Sequence, residues 1–262
     1  MKITILGCGA APGVPSVSTG WGRCNPANPK NRRRRASVLV QEGLVEEGGK
    51  TLLVDCSPDL RDQLLDANVR RLDAVFFTHA HADHIHGLDE LREVNRAMRG
   101  PIPVYGTAET LDVLKHRFAY AFEGIPEGKP IFRPWLIPHV IAPGQDIAVG
   151  SIRVRAFTQD HGYSTTIGYR FADFAYSTDL MELPADSKEI IRGARLWIVG
   201  ALQEAPHPTH ASLEQVLAWT RDLRPARVVL THMSNDLDYD TLVEHLLPAG
   251  VTPGFDGFTA EV

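Results

Sequence analysis

Phe76-Phe77-Thr78-His79-Ala80-His81-Ala82-Asp83-His84-Ile85-His86-Gly87 runs an apolar strand into a dense packet of metal-binding side chains, the pattern HxHxDH. If the strand ends at Thr78 and the chain enters a tight loop, His79 and His81 point the same way. Asp83 and His84 then turn to a neighbouring position at the start of the next helix, so two adjacent ion sites follow. Imidazole and carboxylate donors suit Zn, Mn or Fe, and few protein ligands per ion leave positions open for water. A catalytic site requires that opening, whereas a structural site is closed, usually by thiolates.

Two other apolar strands end on the same chemistry. Ala175-Tyr176-Ser177-Thr178 delivers Asp179, and Val228-Val229-Leu230-Thr231 delivers His232. His161 follows the strand that ends near Phe157. Side chains leaving the carboxyl ends of neighbouring strands in an α/β sheet converge on one crevice, so these residues can meet the HxHxDH loop. Singly, Asp179 also reads as a helix cap and His232 as a core histidine; together they make a coherent ligand set.

The remainder of the chain frames this site. With 262 residues, 44% hydrophobic and 23% charged, the composition is that of an ordinary globular protein and excludes a disordered or coiled-coil chain. One domain over 1–262 is expected. The formal net charge of -5 provides no global basic field, which argues against duplex nucleic acid as a partner. Cys8, Cys24 and Cys56 are scattered and odd in number, so neither a disulfide framework nor a CxxC pair is expected, and a reducing cytoplasm fits. The opening MKITILG is too short in apolar residues for a signal peptide, and no apolar run approaches the about 18 residues of a membrane span, the nearest being 196–202. The expectation is a cytoplasmic protein with no membrane partner.

Short β-branched runs at 2–6, 37–40, 51–54, 74–77, 152–157, 166–171, 196–199 and 228–230 read as strands. Gly150-Ser151 and Ala172-Asp173 sit at expected hairpin turns. Helices are expected after Ser57-Pro58, with Ser57 as N-cap and Leu60, Leu64 and Leu65 at helical spacing; after Gly106, with Leu111, Leu114, Phe118 and Phe122 on one face; and after a Ser212/Gln215 capping box. The Pro-rich piece 124–143 reads as a surface loop or flap. Gly7-x-Gly9 follows the first strand, but Pro12 and Pro15 bar an immediate helix, so a close-approach loop fits better than a dinucleotide fingerprint.

The ordered set His79, His81, Asp83, His84, His161, Asp179, His232 resembles the ligands of the metallo-β-lactamase superfamily of binuclear hydrolases. The resemblance implies an α/β fold, the αβ/βα sandwich of two β-sheets flanked by helices, holding two divalent metal ions, Zn or Mn. It implies one ion on His79, His81 and His161, the other on Asp83, His84 and His232, and Asp179 bridging. Asp55, at the end of the TLLVD strand, matches the family's early aspartate, which orients a ligand.

Within the superfamily the sequence is similar to the PhnP-type cyclic phosphodiesterases of the phosphonate pathway. The similarity lies in ILGCGAAPGVP, GWGRCNPANPKNRRRR, DHGYSTTIGYRF around His161, YSTD at Asp179, PTHASLEQV around His210, and GFDGF. It implies hydrolysis of a small cyclic phosphodiester (a ribose cyclic phosphate or a 2′,3′-cyclic nucleotide), Asp83 and His210 as catalytic residues with His210 the general acid, and a homodimer. Other branches of the superfamily hydrolyse thioesters and lactones or process the 3′ ends of tRNA, and a non-enzymatic metal sensor is the reading from a different class. Only Cys24 remains of the early-loop cysteines that hold a structural zinc in some members, and Asn235 stands in place of a histidine, so no structural zinc is expected. The arginine run 32–35 reads two ways: Arg34 and Arg35 as bidentate donors to phosphate, or a solvated edge that discourages aggregation.

Overall fold

The structure, a computed structural model, describes residues 1–44 and 47–262. The first half runs β1 (Lys2–Gly7), β2 (Ser37–Glu42), β3 (Lys50–Val54), α1 (Leu60–Asp66), β4 (Ala74–Phe76), α2 (Ala82–Ile85), α3 (Leu91–Met98), β5 (Ile102–Gly106), α4 (Ala108–Arg117) and β6 (Leu136–Val140). The second runs β7 (Asp146–Val149), β8 (Ile152–Asp160), β9 (Thr165–Phe171), β10 (Phe174–Ser177), α5 (Ala185–Ile191), β11 (Leu196–Gly200), α6 (Leu213–Leu223), β12 (Val228–Thr231), α7 (Tyr239–Thr241), β13 (Val251–Pro253) and β14 (Thr259–Glu261).

These strands form two seven-stranded sheets, ordered β14-β1-β2-β3-β4-β5-β6 and β13-β12-β11-β10-β9-β8-β7. Both sheets are antiparallel on one side of their middle strand and parallel on the other. The change falls at β3, antiparallel to β2 and parallel to β4, and at β10, antiparallel to β9 and parallel to β11. With helices outside, this is the αβ/βα sandwich expected from the sequence.

Alternation along the strands explains the packing. Ile3, Ile5, Val38, Val40, Leu52, Val54 and Phe76 share one buried cluster with residues of the second sheet, while Leu39, Leu53, Val75 and Phe77 share another with Leu60, Leu91 and Leu111 of the outer helices. Strands covered on both faces read as continuous apolar runs. Phe76 lies fully buried in the inner layer, stacked on Tyr105 at 4.8 Å and meeting Tyr169 edge-on at 5.2 Å between ring centroids. Truncating it to alanine is expected to cost about 3–5 kcal/mol.

The structure corrects several local expectations. α1 begins at Leu60 with Asp59 before it, not at Pro58; Ser57 Oγ instead accepts from Asp59 N and donates to Gln63 Oε1. The preceding residues are held by another segment: Cys56 N donates to His84 O at 2.7 Å, and Gly87 N to Cys56 O at 2.9 Å. Leu65 is exposed, so only Leu60 and Leu64 pack. α4 ends at Arg117, and Phe118 and Phe122 reach the core from beyond the helix. Ser212 does cap α6, but Gln215 Nε2 donates to Met181 O rather than completing the box. Residues 136–140 of the Pro-rich piece form β6, an edge strand where Pro138 is tolerated because the outer side has no partner strand among the described residues. No described helix is long and apolar enough to cross a membrane.

Candidate metal centre

Three of the strands end in a sharp left-handed turn. Asp55 after β3, Asp179 after β10 and His232 after β12 have φ of 64°, 48° and 53°. Non-glycine residues avoid this region, Asp and His less than most, and each such residue costs on the order of 1–3 kcal/mol unless its surroundings hold it. Here they do. Asp55 N donates to Phe76 O, Thr166 Oγ1 donates to Asp179 O at 2.8 Å, and Met233 N, just past His232, donates to Cys8 O at 2.9 Å.

The loop after β4 is organised around Asp55. Thr78 donates to it twice, from N to Oδ1 at 2.8 Å and from Oγ1 to Oδ2 at 2.7 Å, and His84 Nδ1 lies 2.7 Å from Oδ2. Only a protonated Nδ1 satisfies that carboxylate, so Nε2 is the His84 nitrogen left to face an ion. Thr78 Oγ1, its proton committed to Asp55, accepts from His79 Nδ1 at 3.0 Å. His161 Nδ1 donates to Thr209 O at 2.6 Å. Three imidazoles are thus set in the tautomer that leaves Nε2 free for a metal.

These free atoms converge on Asp179. Its Oδ1 lies 3.2 Å from both His84 Nε2 and His232 Nδ1; its Oδ2 lies 3.7 Å from His79 Nε2 and 3.8 Å from His161 Nε2. Two groups result, His79, His81, His161 and Asp179, and Asp83, His84, Asp179 and His232, each offering ligand atoms within 4.8 Å of one another. His79 Nε2, Asp83 Oδ2, His84 Nε2 and His232 Nδ1 are buried and make no hydrogen bond. Orphaned buried polar atoms are costly, and a pair of divalent cations satisfies all four, so the donor set fits such ions.

The Beta-lactamase superfamily domain matches residues 50–233, from β3 to the residue after His232. The chain belongs to the β-lactamase superfamily.

Individual relatives extend the match. A solved diphosphatase of the PhnP family is 33% identical with a TM-score of 0.88, covering 99% of this chain and 96% of that one. The octanoyltransferase of Porphyromonas gingivalis is 30% identical over 99% of this chain and 51% of its own length. Ribonuclease Z of Bradyrhizobium sp. is 32% identical over 55% of this chain and 46% of its own. The chain thus spans about half the length of these two curated relatives.

Electrostatics divides the superfamily cluster into two kinds of histidine. Burial opposes a charge on His84, but Asp83, Asp179 and Asp55 outweigh it and push His84 well above its ordinary value. Burial depresses His79, His161 and His232. For Asp83 and Asp179 burial favours the neutral acid, yet the surrounding imidazoles, His84 foremost for Asp83 and His232 for Asp179, hold both carboxyls below the usual range.

His210 stands at the edge of the cluster, 5.0 Å from His232 in a stacked arrangement and 4.7 Å from His161 edge-on. Burial, with His232 next, pushes it down to about 3, so the ring rests neutral. The arginines lie elsewhere. Arg34 pairs with Asp66 at 2.6 Å and Asp256 at 3.2 Å, Arg35 pairs with Asp59 at 3.2 Å, and the hollow they line contains no residue of the cluster. Arg33, contrary to both readings of the run, is buried at 2% exposure. Sequence reasoning missed Thr78, Thr166 and Thr209, which hold the ligands. Thr78 precedes the HxH pattern directly and carries a local signal; Thr209 acts through its backbone carbonyl and has none.

Proposed function

We propose that this chain is a dinuclear metal-dependent phosphodiesterase acting on small cyclic phosphodiesters, a ribose cyclic phosphate or a 2′,3′-cyclic nucleotide. The observation that carries the reading is the full-length likeness to a PhnP-family diphosphatase, in a chain that sets His210 against the His/Asp cluster. His79, His81 and His161 would hold one ion, Asp83, His84 and His232 the other, and Asp179 both. When bound, two divalent cations supply Lewis acidity: a water of lowered pKa and neutralisation of charge on phosphoryl oxygens.

The protein's own residues do the rest. Asp83, ionised and at the cluster, orients the attacking water and accepts its hydrogen bond. His210 is the proton donor to the leaving oxygen. Neutral at rest, its ring takes up a proton when an anionic phosphoryl group is set against it, because a nearby negative charge favours the imidazolium. It then releases that proton as the ester oxygen departs. Asp55 fixes His84 throughout.

A second reading, tRNA 3′ processing, is favoured by the ribonuclease Z relative. The net charge of -5 weighs against it, since RNA phosphates are gripped by basic surface. The test is hydrolysis by Zn- and Mn-supplied protein of bis-p-nitrophenyl phosphate, 2′,3′-cyclic nucleotides, a precursor tRNA, a thioester and a lactone. Turnover of the cyclic phosphates, lost in His210→Ala with metal content unchanged, supports the proposal. Turnover only of the tRNA, the thioester or the lactone moves the chain to another branch, and silence throughout favours the sensor.

A further inference from the structure

We infer that Arg33 is a positioning residue for His232, acting through the turn that follows it and so on one half of the cluster. The inference rests on the reading of His232 as a metal ligand.

Arg33 is 2% exposed and carries a permanent charge. Burying such a charge is costly unless it is compensated. Its neighbours Arg34 and Arg35 pair with carboxylates, but Arg33 is met by dipoles. Nη1 donates to Ser234 O at 2.8 Å, and Nη2 donates to Leu237 O at 2.6 Å and to Asn31 Oδ1 at 3.2 Å; Nη1 also reaches Cys24 Sγ at 3.9 Å. Its Nε makes no hydrogen bond. Two of these acceptors are backbone carbonyls of the turn that starts two residues after His232.

That turn has the geometry of a clamp. His232 is in the left-handed region, so the chain must be held on both sides of it. On the near side β12 runs into it. On the far side Met233 is bonded both ways to the extension of β1, with Met233 N donating to Cys8 O and Ala10 N to Met233 O, and the guanidinium holds the next stretch at its two ends, Ser234 O and Leu237 O. The anchor itself is fixed: Arg33 and Val14 exchange both backbone hydrogen bonds, and Asn31 Oδ1 also accepts from Tyr239 N. A planar fork spans two carbonyls three residues apart; an ammonium does not. Among the described residues, His79, His81 and His161 of the other group make no hydrogen bond to this turn and share with His232 only Asp179.

The test is metal titration of the full chain with Co2+ alone, followed by calorimetry and by the d–d absorption of the bound ion, together with the melting temperature of the metal-free protein. Wild type is expected to take up two ions. Arg33→Lys, which keeps charge and stem, should weaken one of them about tenfold or more and leave the other within about twofold. Arg170→Lys is the control. Arg170 is another arginine set on carbonyls, those of Ile190 and Ile191, and its loss should lower the melting temperature with both ions unchanged. Should Arg33→Lys fail to fold, Asn31→Ser removes the side-chain acceptor of Nη2 and should weaken the same ion about threefold, with the other unaffected. Loss of melting temperature with both affinities intact, or an equal loss at both ions, overturns the inference. A wild type that binds fewer than two ions overturns instead the reading of the centre itself.

Discussion

Asp55 and Asp179 occupy the same place in two sheets. Each follows the strand at which its sheet changes from antiparallel to parallel, each has a left-handed backbone, and each is almost fully buried. Their surroundings differ. Both accept a threonine hydroxyl, but Asp55 gives its oxygens to Thr78 and the back of His84, while Asp179, with one bond from Thr178 Oγ1 at 2.7 Å, turns both oxygens toward four imidazoles. Burial leaves Asp55 raised despite His84, whereas the histidines around Asp179 overcome burial and hold it ionised. One turn has thus been put to two uses, support in the first sheet and binding in the second, and partners rather than backbone decide which.

That contrast predicts unequal consequences for the same substitution. Asp179→Asn should have the larger effect: about a thousandfold loss of turnover on bis-p-nitrophenyl phosphate, matching the several kcal/mol of charge stabilisation a metal site supplies, and fewer than two ions per chain by elemental analysis. Asp55→Asn should keep the turn and weaken ion binding only about 10- to 100-fold in a competitive chelator titration. Equal losses in the two variants would break the comparison. Thr78→Val removes a donor to Asp55 and the acceptor of His79 Nδ1, so urea unfolding should show a loss of about 1–3 kcal/mol. Thr166→Val, the counterpart on the Asp179 side, loses the hydroxyl that receives Gln159 Nε2 and donates to Asp179 O, and falls in the same range.

The last effect concerns protons and is silent at neutral pH. The folded metal-free protein holds His210 down to about 3, below its ordinary value in the unfolded chain. Between those values the unfolded state binds the extra proton, so acid favours unfolding there. Stability should therefore fall as pH drops from about 6.5 toward 3, and His210→Asn should flatten that part of the curve in urea titrations at successive pH values. A slope unchanged by the substitution would remove His210 from the neutral set around Asp179.

Much of the centre is legible because its chemistry is local. Residues 79–84 declare themselves in six positions, and Asp179 and His232 each end an apolar run. The sandwich is legible for the same reason, since strands buried on both faces leave unbroken apolar runs. What escaped reading depends on distant partners. Ser57 looks like a cap until Cys56 is seen pinned to the His84 segment, which delays the helix. β6 hides because Pro138 interrupts its pattern and only its position at an edge excuses the proline. Arg33 is indistinguishable in sequence from Arg32, Arg34 and Arg35, yet the fold buries it and pairs or exposes the others.

The first sheet ends on the last strand of the chain. β14 pairs with β1, matching Lys2 with Glu261, and the Met1 amino group donates to Val262 O at 2.8 Å. During synthesis the outer edge of β1 stays unpaired until the residues of β14, Thr259–Glu261, have left the ribosome. Closing the sheet is then a contact of very large sequence separation, a kind that is slow to form. Until it forms, the nascent chain carries an open strand edge of the sort that recruits other chains, so the arrival of β14 and protection from aggregation coincide.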